Sequence, residues 1–257
     1  MNGKEKFIGI VCGLKSEKTA VRAVAGRRAI RIGVSGASAA RAEEIARRFC
    51  HEGAAAILSV GVSGGLDPAL KPGALVIGDS VMADSGELFE SDRYLMSSIA
   101  SSFATPYSLH PEESRRRVSK DKGNRAPEDE ARVGRLFGAD AIIDSAAKKA
   151  ALFSNHGALA VDMESHGAAR AAQEARVPFI AIRAIADPAD RALPPAALSA
   201  VAPDGSTQVL KTLGAALRDP KQFPALMKLG ADSAAATKTL RRELGPIFEK
   251  LAAQIDL

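Results

Sequence analysis

Two short apolar runs in the middle of the chain each end in a pair of carboxylates. The pairs are Asp162 with Glu164, and Asp187 with Asp190. The second run has the β-branched character of a buried strand, and ligands in open α/β sheets bind at the carboxyl ends of the strands. If the two strands are neighbours, Glu164 and Asp187 face one crevice. Isolated acids at strand ends also occur as solvated turn residues or helix caps, so the residues alone leave both interpretations open.

The segments around these acids alternate between strand and helix patterns, which predicts a layered α/β domain. Strands are predicted at residues 7–11, 29–34, 54–60, 74–77, 158–161 and 179–185. Residues 12–17 are predicted to turn into a helix, and further helices are predicted at 38–51 and 166–176. Ser38 is a suitable N-cap for the helix at 38–51. A Gly-rich turn is predicted at 61–65, and Pro72-Gly73 predicts another.

The composition predicts one main domain. A chain of 257 residues with 46% apolar and 25% charged residues can bury one sizeable core. We expect this domain at residues 1–218 and a C-terminal helical extension, not an independent domain, at 219–257. Residues 1–6 lack the apolar region of a signal peptide, no apolar run is long enough to span a bilayer, and Cys12 and Cys50 are too few for a disulfide framework. These features favour a reducing cytoplasm.

The net charge of +5 does not indicate a nucleic-acid partner by itself. Nine Phe, two Tyr and no Trp provide too few aromatic side chains for base-stacking platforms. Much of the positive charge lies at residues 115–125, in a polar segment typical of a solvated loop, and at 211–250. We therefore expect no nucleic-acid partner.

The Gly-rich segment 61–65 also fits the pattern of a nucleophile elbow with Ser63 at its centre. This raises the alternative of a serine hydrolase that uses His156 or His166 as its base. An elbow needs a helix immediately after the serine, whereas residues 66–73 contain two prolines and a glycine and favour a loop. The glycines also lack the spacing of a dinucleotide fingerprint. A tight backbone turn that approaches a ligand remains as the main interpretation.

Four segments of the chain occur in the order seen in a known enzyme superfamily. They are residues 8–17, residues 61–73, Val161-Asp-Met-Glu-Ser165 and Arg183-Ala-Ile-Ala-Asp187-Pro-Ala-Asp190. Together they resemble the signature segments of nucleoside phosphorylases and methylthioadenosine/adenosylhomocysteine nucleosidases. Residues 191–198 and 219–226 are similar to those of hopanoid-associated phosphorylases, so the resemblance covers nearly the whole chain.

This resemblance implies a fold, an activity and a substrate. The fold is a three-layer α/β nucleoside-phosphorylase-like domain in which helices flank a central mixed sheet. The activity is cleavage of the N-glycosidic bond of adenosylhopane, with release of adenine, by a homodimer that needs no metal or organic cofactor. Methylthioadenosine or adenosylhomocysteine are the alternative substrates. A nucleoside-binding regulator without turnover is the non-enzymatic alternative, and the joint presence of Glu17, Glu164 and Asp187 argues against it.

The resemblance also implies roles for single residues. The Met163-Glu164 pair holds the ribose, Asp187 faces the purine and Glu17 activates water. These roles agree with the chemistry, because the departing purine needs a proton donor and the cationic sugar needs a carboxylate. Glu17 is also compatible with a simple first-turn helix acid, and His166 is assigned no catalytic role. The further substrate-binding positions are Asp162, Gly61, Ser63, Gly64 and, against the base, Ile142.

The nucleophile stays open between water and phosphate. Relatives that use phosphate hold it with an arginine and a serine, and the corresponding positions here resemble Ser59 and Val62. Backbone amides of residues 61–65, with Lys15 or Lys18, are a substitute clamp that keeps phosphate open as a co-substrate. Of these two nucleophiles, we expect water.

The C-terminal extension mixes an apolar stripe with basic residues. Such a segment packs on the domain or at a subunit interface, or makes a peripheral, salt-sensitive contact with the inner face of the membrane. A lipid substrate makes the membrane contact relevant, and packing is the commoner use of such a stripe.

Overall fold

The computed structural model describes residues 6–100, 131–198, 202, 204–207 and 219–255. The strands within these ranges are β1 (Phe7–Cys12), β2 (Ile30–Val34), β3 (Ala54–Gly65), β4 (Leu75–Ala83), β5 (Leu88–Glu90), β6 (Arg132–Gly138), β7 (Ala160–Asp162) and β8 (Phe179–Asp187). The helices are α1 (Lys15–Ala25), α2 (Ala39–Glu52), α3 (Arg93–Ala100), α4 (Ala146–His156), α5 (Ser165–Glu174) and α6 (Phe223–Gln254). Short 3₁₀ turns lie at Pro195–Ala197 and Pro220–Gln222.

The sheet is mixed, and five of its strands close on themselves. β3 pairs in parallel with β8, β8 pairs antiparallel with β4, β4 and β7 both pair in parallel with β6, and β7 returns antiparallel to β3. β1 and β2 extend this ring from β3 in parallel, and β5 extends it from β4. The end of β3 is therefore held between β7 and β8, because Gly64 pairs with Val161 on one side and Asp187 on the other.

Helices cover both faces of the sheet. α2 and α5 pack through small residues against one face, where Ala46 and Ala168 lie with Phe7 and Phe179 in one buried cluster. α1, α3 and α6 cover the other face. The predicted three-layer α/β fold with a central mixed sheet is confirmed.

Local sequence signals explain where α2 begins and ends. Ser38 caps the helix, since its side-chain oxygen accepts a hydrogen bond from the Arg41 amide at 3.4 Å. Gly53 ends it with φ of +96°, a left-handed conformation that a residue with a Cβ rarely adopts. β3 follows at once, so these two signals set the start of the strand that leads to the candidate site.

α6 is a single helix of 32 residues. Its carboxyl-terminal half packs on the domain through fully buried apolar residues, namely Leu240, Leu244, Ile247, Phe248 and Leu251. This part of the apolar stripe covers the core, which is the packing alternative considered for the extension. Residues 223–235 contain no buried side chain, and Phe223 and Met227 on this half are exposed. No helix in the described ranges has the length and hydropathy needed to cross a bilayer.

The Gly-rich segment corrects one expectation. Residues 61–65 were expected to turn, but they continue β3 and pair with β8 and β7. The Glu17 carboxylate fills the space of a side chain at Gly61, where a Cβ would lie 2.7 Å from its Oε1. A Cβ on Gly64 would lie 3.2 Å from Val161 Cγ1 and 3.4 Å from Asp187 Oδ1. The basic segment 115–125 and the proposed domain boundary at 218 lie outside the described residues.

Candidate active site

Glu17 reaches the end of the sheet from the first turn of α1. Its Oε2 accepts the Leu14 amide at 2.8 Å, and its Oε1 accepts the Val62 amide of β3 at 2.8 Å. Burial raises the pKa of Glu17, although these backbone hydrogen bonds oppose the shift. The side chain is thus more than a helix-terminal acid, because it ties α1 to the middle strand of the site.

Glu164 lies in the turn between β7 and α5 and is also buried. A Cβ on Gly13 would collide with its carboxylate, so the loop after β1 and this turn approach each other closely. Burial raises the pKa of Glu164 to about 8, and the negative charges of Asp162 and Glu17 add to the shift. Glu164 therefore holds a proton more tightly than an ordinary carboxyl group.

Arg183 on β8 provides the positive charge beneath these acids. Its buried guanidinium lies 3.1 Å from Asp162 Oδ2 (from Nε) and 3.7 Å from Glu164 Oε2 (from Nη2). It also donates hydrogen bonds to the hydroxyl oxygens of Ser59 at 2.7 Å and Ser165 at 2.8 Å. The sequence analysis gave Arg183 no role, because an arginine inside an apolar strand carries no local signal of its partners.

Asp162 uses both carboxylate oxygens within the protein. Oδ1 accepts the amides of Glu164 at 2.8 Å and Ser165 at 2.7 Å, and Oδ2 accepts the Ser165 hydroxyl at 2.7 Å. Burial acts to raise the pKa of Asp162, but Arg183 and the Ser165 bonds outweigh it and the pKa is lowered. Asp162, which is predicted to bind substrate, has protein partners at both oxygens and fixes the turn that carries Glu164.

Asp187 ends β8 on the opposite side of β3. Its Oδ2 pairs with the ammonium of Lys149, which is 0% exposed and also donates to the carbonyl oxygens of Pro188 at 2.9 Å and Arg191 at 3.0 Å. Burial raises the pKa of Asp187, and the charge of Lys149 opposes this increase without cancelling it. The sequence analysis did not identify Lys149.

The topology brings these acids to one edge of the sheet. Val161 on β7 and Asp187 on β8 pair with Gly64 of β3 from opposite sides. Because neighbouring strands lie about 4.8 Å apart, the backbones of Val161 and Asp187 are about 10 Å apart. Glu17 enters the same edge through Val62. The end of β3 is therefore flanked by two buried carboxyl groups, Glu17 and Glu164, on one side and by the lysine-paired carboxyl group of Asp187 on the other.

The remaining predicted positions differ in their exposure to solvent and in their contacts. Met163 is half-buried beside Glu164, whereas Ile142 is 41% exposed on the connection between β6 and α4. Gly61 and Gly64 lie in β3 facing Glu17 and Asp187, respectively. Ser63 is buried in the same strand, and its hydroxyl has no hydrogen-bond partner among the described residues.

The geometry contradicts the serine hydrolase alternative. Ser63 lies inside a strand that is not followed by a helix, so it is not on an elbow. His166 is hydrogen bonded through Nε2 to Asp140 at 3.1 Å, and His156 stacks on Phe137 with ring centroids 5.1 Å apart. Neither histidine bonds to the serine.

Three of the groups considered for a phosphate clamp already have partners. Ser59 accepts from Arg183, the Val62 amide donates to Glu17, and Lys15 pairs with Asp204 at 2.5 Å. In the part of the chain that the structure describes, no cluster of three or more His, Cys, Asp or Glu side chains is arranged to hold a metal ion.

Comparison with known proteins identifies both a family and a fold. The family model described as "Phosphorylase superfamily" matches residues 5–218. No curated protein matches the chain by sequence. Among solved structures, the chain is similar to a futalosine hydrolase of Helicobacter pylori strain 26695, with a TM-score of 0.65, 17% identity and coverage of 96% of this chain and 98% of that one.

Two nucleosidase structures are also similar. The 5'-methylthioadenosine/S-adenosylhomocysteine nucleosidase from S. pneumoniae, solved with a transition-state inhibitor, has a TM-score of 0.66 and 16% identity, and the match covers 96% of this chain and 100% of that one. The corresponding nucleosidase from Neisseria meningitidis has a TM-score of 0.60 and 16% identity, with coverage of 94% and 99%. At these identities the likeness establishes the fold.

Glu164→Gln should increase stability at alkaline pH. A carboxyl pKa raised from 4.5 to about 8 means that the folded protein binds the proton more tightly than the unfolded chain, so wild-type stability falls as pH rises between these values. A neutral glutamine removes this loss. We expect the variant to be more stable than wild type by more than about 1 kcal/mol at pH 9, since one pKa unit corresponds to about 1.4 kcal/mol.

Urea unfolding of both proteins from pH 5 to pH 9 measures this difference, which should shrink toward pH 5. Glu52→Gln is the control, because the ion pairs of Glu52 with Arg31 and Arg48 lie at the surface and their removal should cost less than about 1 kcal/mol throughout. Parallel stability curves for wild type and Glu164→Gln would contradict the raised pKa.

Proposed function

The chain belongs to the phosphorylase superfamily, and from this membership we propose that it cleaves the N-glycosidic bond of a purine nucleoside and releases adenine. The observation that carries the proposal is the placement of Asp187 opposite Glu17 and Glu164 around the end of β3. The Asp187 side suits a departing base, and the side with Glu17 and Glu164 suits a sugar that becomes cationic.

Asp187 is the residue we assign to the purine. A purine leaves poorly as an anion, so a carboxylic acid that protonates it as the bond stretches lowers the barrier. The raised pKa of Asp187 favours the protonated form that can donate. Lys149 occupies Oδ2, and Oδ1 is the oxygen that we assign to the purine nitrogen.

Glu164 and Met163 are assigned to the sugar. In the free site the pKa of Glu164 is raised to about 8, because burial disfavours its charged form and the negative charges of Asp162 and Glu17 add to this effect. Ribose hydroxyl groups donate hydrogen bonds to an ionised carboxylate, and positive charge that develops on the sugar favours ionisation further. The electrostatic stabilisation is therefore greatest in the transition state, which is where it accelerates the reaction.

Water is the nucleophile that the contacts favour. Glu17 accepts two backbone hydrogen bonds that hold its carboxylate toward Gly61, and an ionised carboxylate in this position can remove a proton from water. The amides at residues 61–65 belong to a paired strand, so they do not form the open nest that phosphate would need. The proposed reaction uses only side chains of the enzyme and no cofactor.

An adenosyl-lipid is the substrate that we propose, with methylthioadenosine or adenosylhomocysteine as the alternative. Four exposed apolar side chains, which we call the apolar rim, lie on segments linked to the end of β8: Ile142, Leu198, Phe223 and Met227. The Leu193 amide donates to the Asp144 carbonyl at 2.8 Å, and the Ala196 amide donates to Gln222 Oε1 at 3.0 Å. These bonds hold the rim beside the loop that leaves Asp187.

Asp187→Asn should abolish turnover and preserve nucleoside binding. The amide has nearly the same shape as the acid but has no proton to donate, and general acid catalysis contributes about 10²- to 10⁴-fold in rate. Adenine release measured by chromatography, together with calorimetric binding of a nucleoside analogue, tests both parts. Adenine release by the variant at a near wild-type rate would contradict the proposed mechanism. Asp190→Asn, an exposed acid three residues away, is the control.

Adenine release should proceed in phosphate-free buffer and yield a free sugar. Glu17→Gln should slow it by about 10²- to 10⁴-fold because the base that activates water is lost. The exposed Glu44→Gln on α2 should have no effect. Mass spectrometry of the sugar product identifies the nucleophile. A sugar 1-phosphate that forms only when phosphate is added would show that the nucleophile is phosphate and not water.

Phe223→Ser should reduce kcat/KM for adenosylhopane and leave kcat/KM for methylthioadenosine unchanged. Burying one large apolar side chain is worth about 1.5–3 kcal/mol, so the expected loss is about tenfold or more. Leu88→Ser, an exposed apolar residue on the edge strand β5, is the control. Equal effects on both substrates, or faster turnover of methylthioadenosine by wild type, would favour the small nucleosides. The dimer and the inner-membrane contact stay predictions.

A further inference from the structure

Two consecutive lysines of α4 lie in opposite environments. Lys148 is 60% exposed and pairs with Asp144 one turn earlier at 2.8 Å. Lys149 is fully buried, and its ammonium has three acceptors, one for each of its protons: the Asp187 carboxylate and the carbonyls of Pro188 and Arg191. A buried ammonium is costly unless all of its donors are bonded, and here they all are.

These three acceptors all belong to the end of β8 and the loop after it. The ammonium therefore closes the loop of residues 188–191 around itself and holds one oxygen of the aspartate at a fixed position. A lysine used only for helix packing would not need this set of acceptors. The arrangement places the Lys149 ammonium against the one carboxyl group that we assign to the purine.

We propose that Lys149 is a positioning residue for the reaction: it holds Asp187 through Oδ2 with Oδ1 toward the purine, and it stabilises the carboxylate that remains after proton donation. This inference rests on the proposed function. The O–H bond of Asp187 breaks as an N–H bond forms on the purine, the glycosidic C–N bond breaks with its electrons passing to the base, and the water that gives a proton to Glu17 forms a new C–O bond to the sugar carbon. Lys149 keeps its proton throughout. The proton that water gives to Glu17 leaves to solvent, and Asp187 regains one from solvent.

The charged groups that face Asp187 determine the direction of the expected pH effect. Lys149 on α4 and Arg191 in the following loop favour its ionised form, and Asp232 on α6 disfavours it. Arg191 and Asp232 form an ion pair with each other. Lys149 has the strongest effect of the groups that oppose burial, so its removal should raise the pKa of Asp187 further.

The test compares pH profiles of kcat for wild type, Lys149→Met, Lys149→Gln and the matched control Lys148→Met. Activity that requires protonated Asp187 falls as pH rises through its pKa. Both Lys149 variants should lose about tenfold or more in kcat at neutral pH, with KM changed less than about threefold, and the alkaline midpoint should move up by about one pH unit. Lys148→Met should match wild type.

A purely structural role for Lys149 would lower the activity at every pH and leave the midpoint in place, and this outcome would overturn the inference. Lys149→Gln retains two N–H donors for the loop carbonyls, so it separates loss of charge from loss of the loop. If both variants are too slow to assay, infrared titration of the carboxyl band that disappears in Asp187→Asn measures the same midpoint shift without turnover. Normal adenine release by Asp187→Asn would instead remove the proposed function itself.

Discussion

One buried guanidinium holds together the part of the candidate site that we propose to bind the sugar, called the sugar side, opposite the proposed base side at Asp187. Arg183 lies inside β8, pairs with Asp162, reaches Glu164 and donates to the hydroxyls of Ser59 and Ser165. Removing it would leave buried carboxylates without a counter-charge, a change that typically costs about 3–5 kcal/mol. The parallel pairing of β8 with β3 brings these partners within its reach. The position of the turn after β7 depends on this contact.

The sugar side contains more negative charge than one arginine can balance. Arg183 lowers the pKa of Asp162, which stays ionised, whereas the pKa values of Glu17 and Glu164 are raised. Such an arrangement opposes folding at alkaline pH and is hard to explain by stability alone. A ligand that carries positive charge relieves the imbalance, and a glycosidic transition state develops that charge on its sugar.

The base side is organised around a different cation. Lys149 opposes the effect of burial on Asp187 and fixes the loop that follows it. Among the described residues, no ion pair links Lys149 to the acids around Arg183. Two buried cations, one on α4 and one on β8, thus allow acids at the same sheet edge to differ in protonation. Environments that separate the pKa values of nearby acids are the usual way in which a site divides acid and base roles.

The sequence by itself predicted most of the elements that surround the site and the acids at the ends of two of them, but it did not predict β5, β6, α3 or α4. Ser38 and Gly53 set the limits of α2, and the carboxylates after β7 and β8 indicated one ligand edge, because these signals act within a few residues of each other. Only the tertiary structure decided that residues 61–65 are strand and that Lys149, not Lys148, is buried. Adjacent lysines in an Ala-rich helix are locally equivalent. Their difference arises from where β8 ends, and that depends on contacts between segments far apart in the chain.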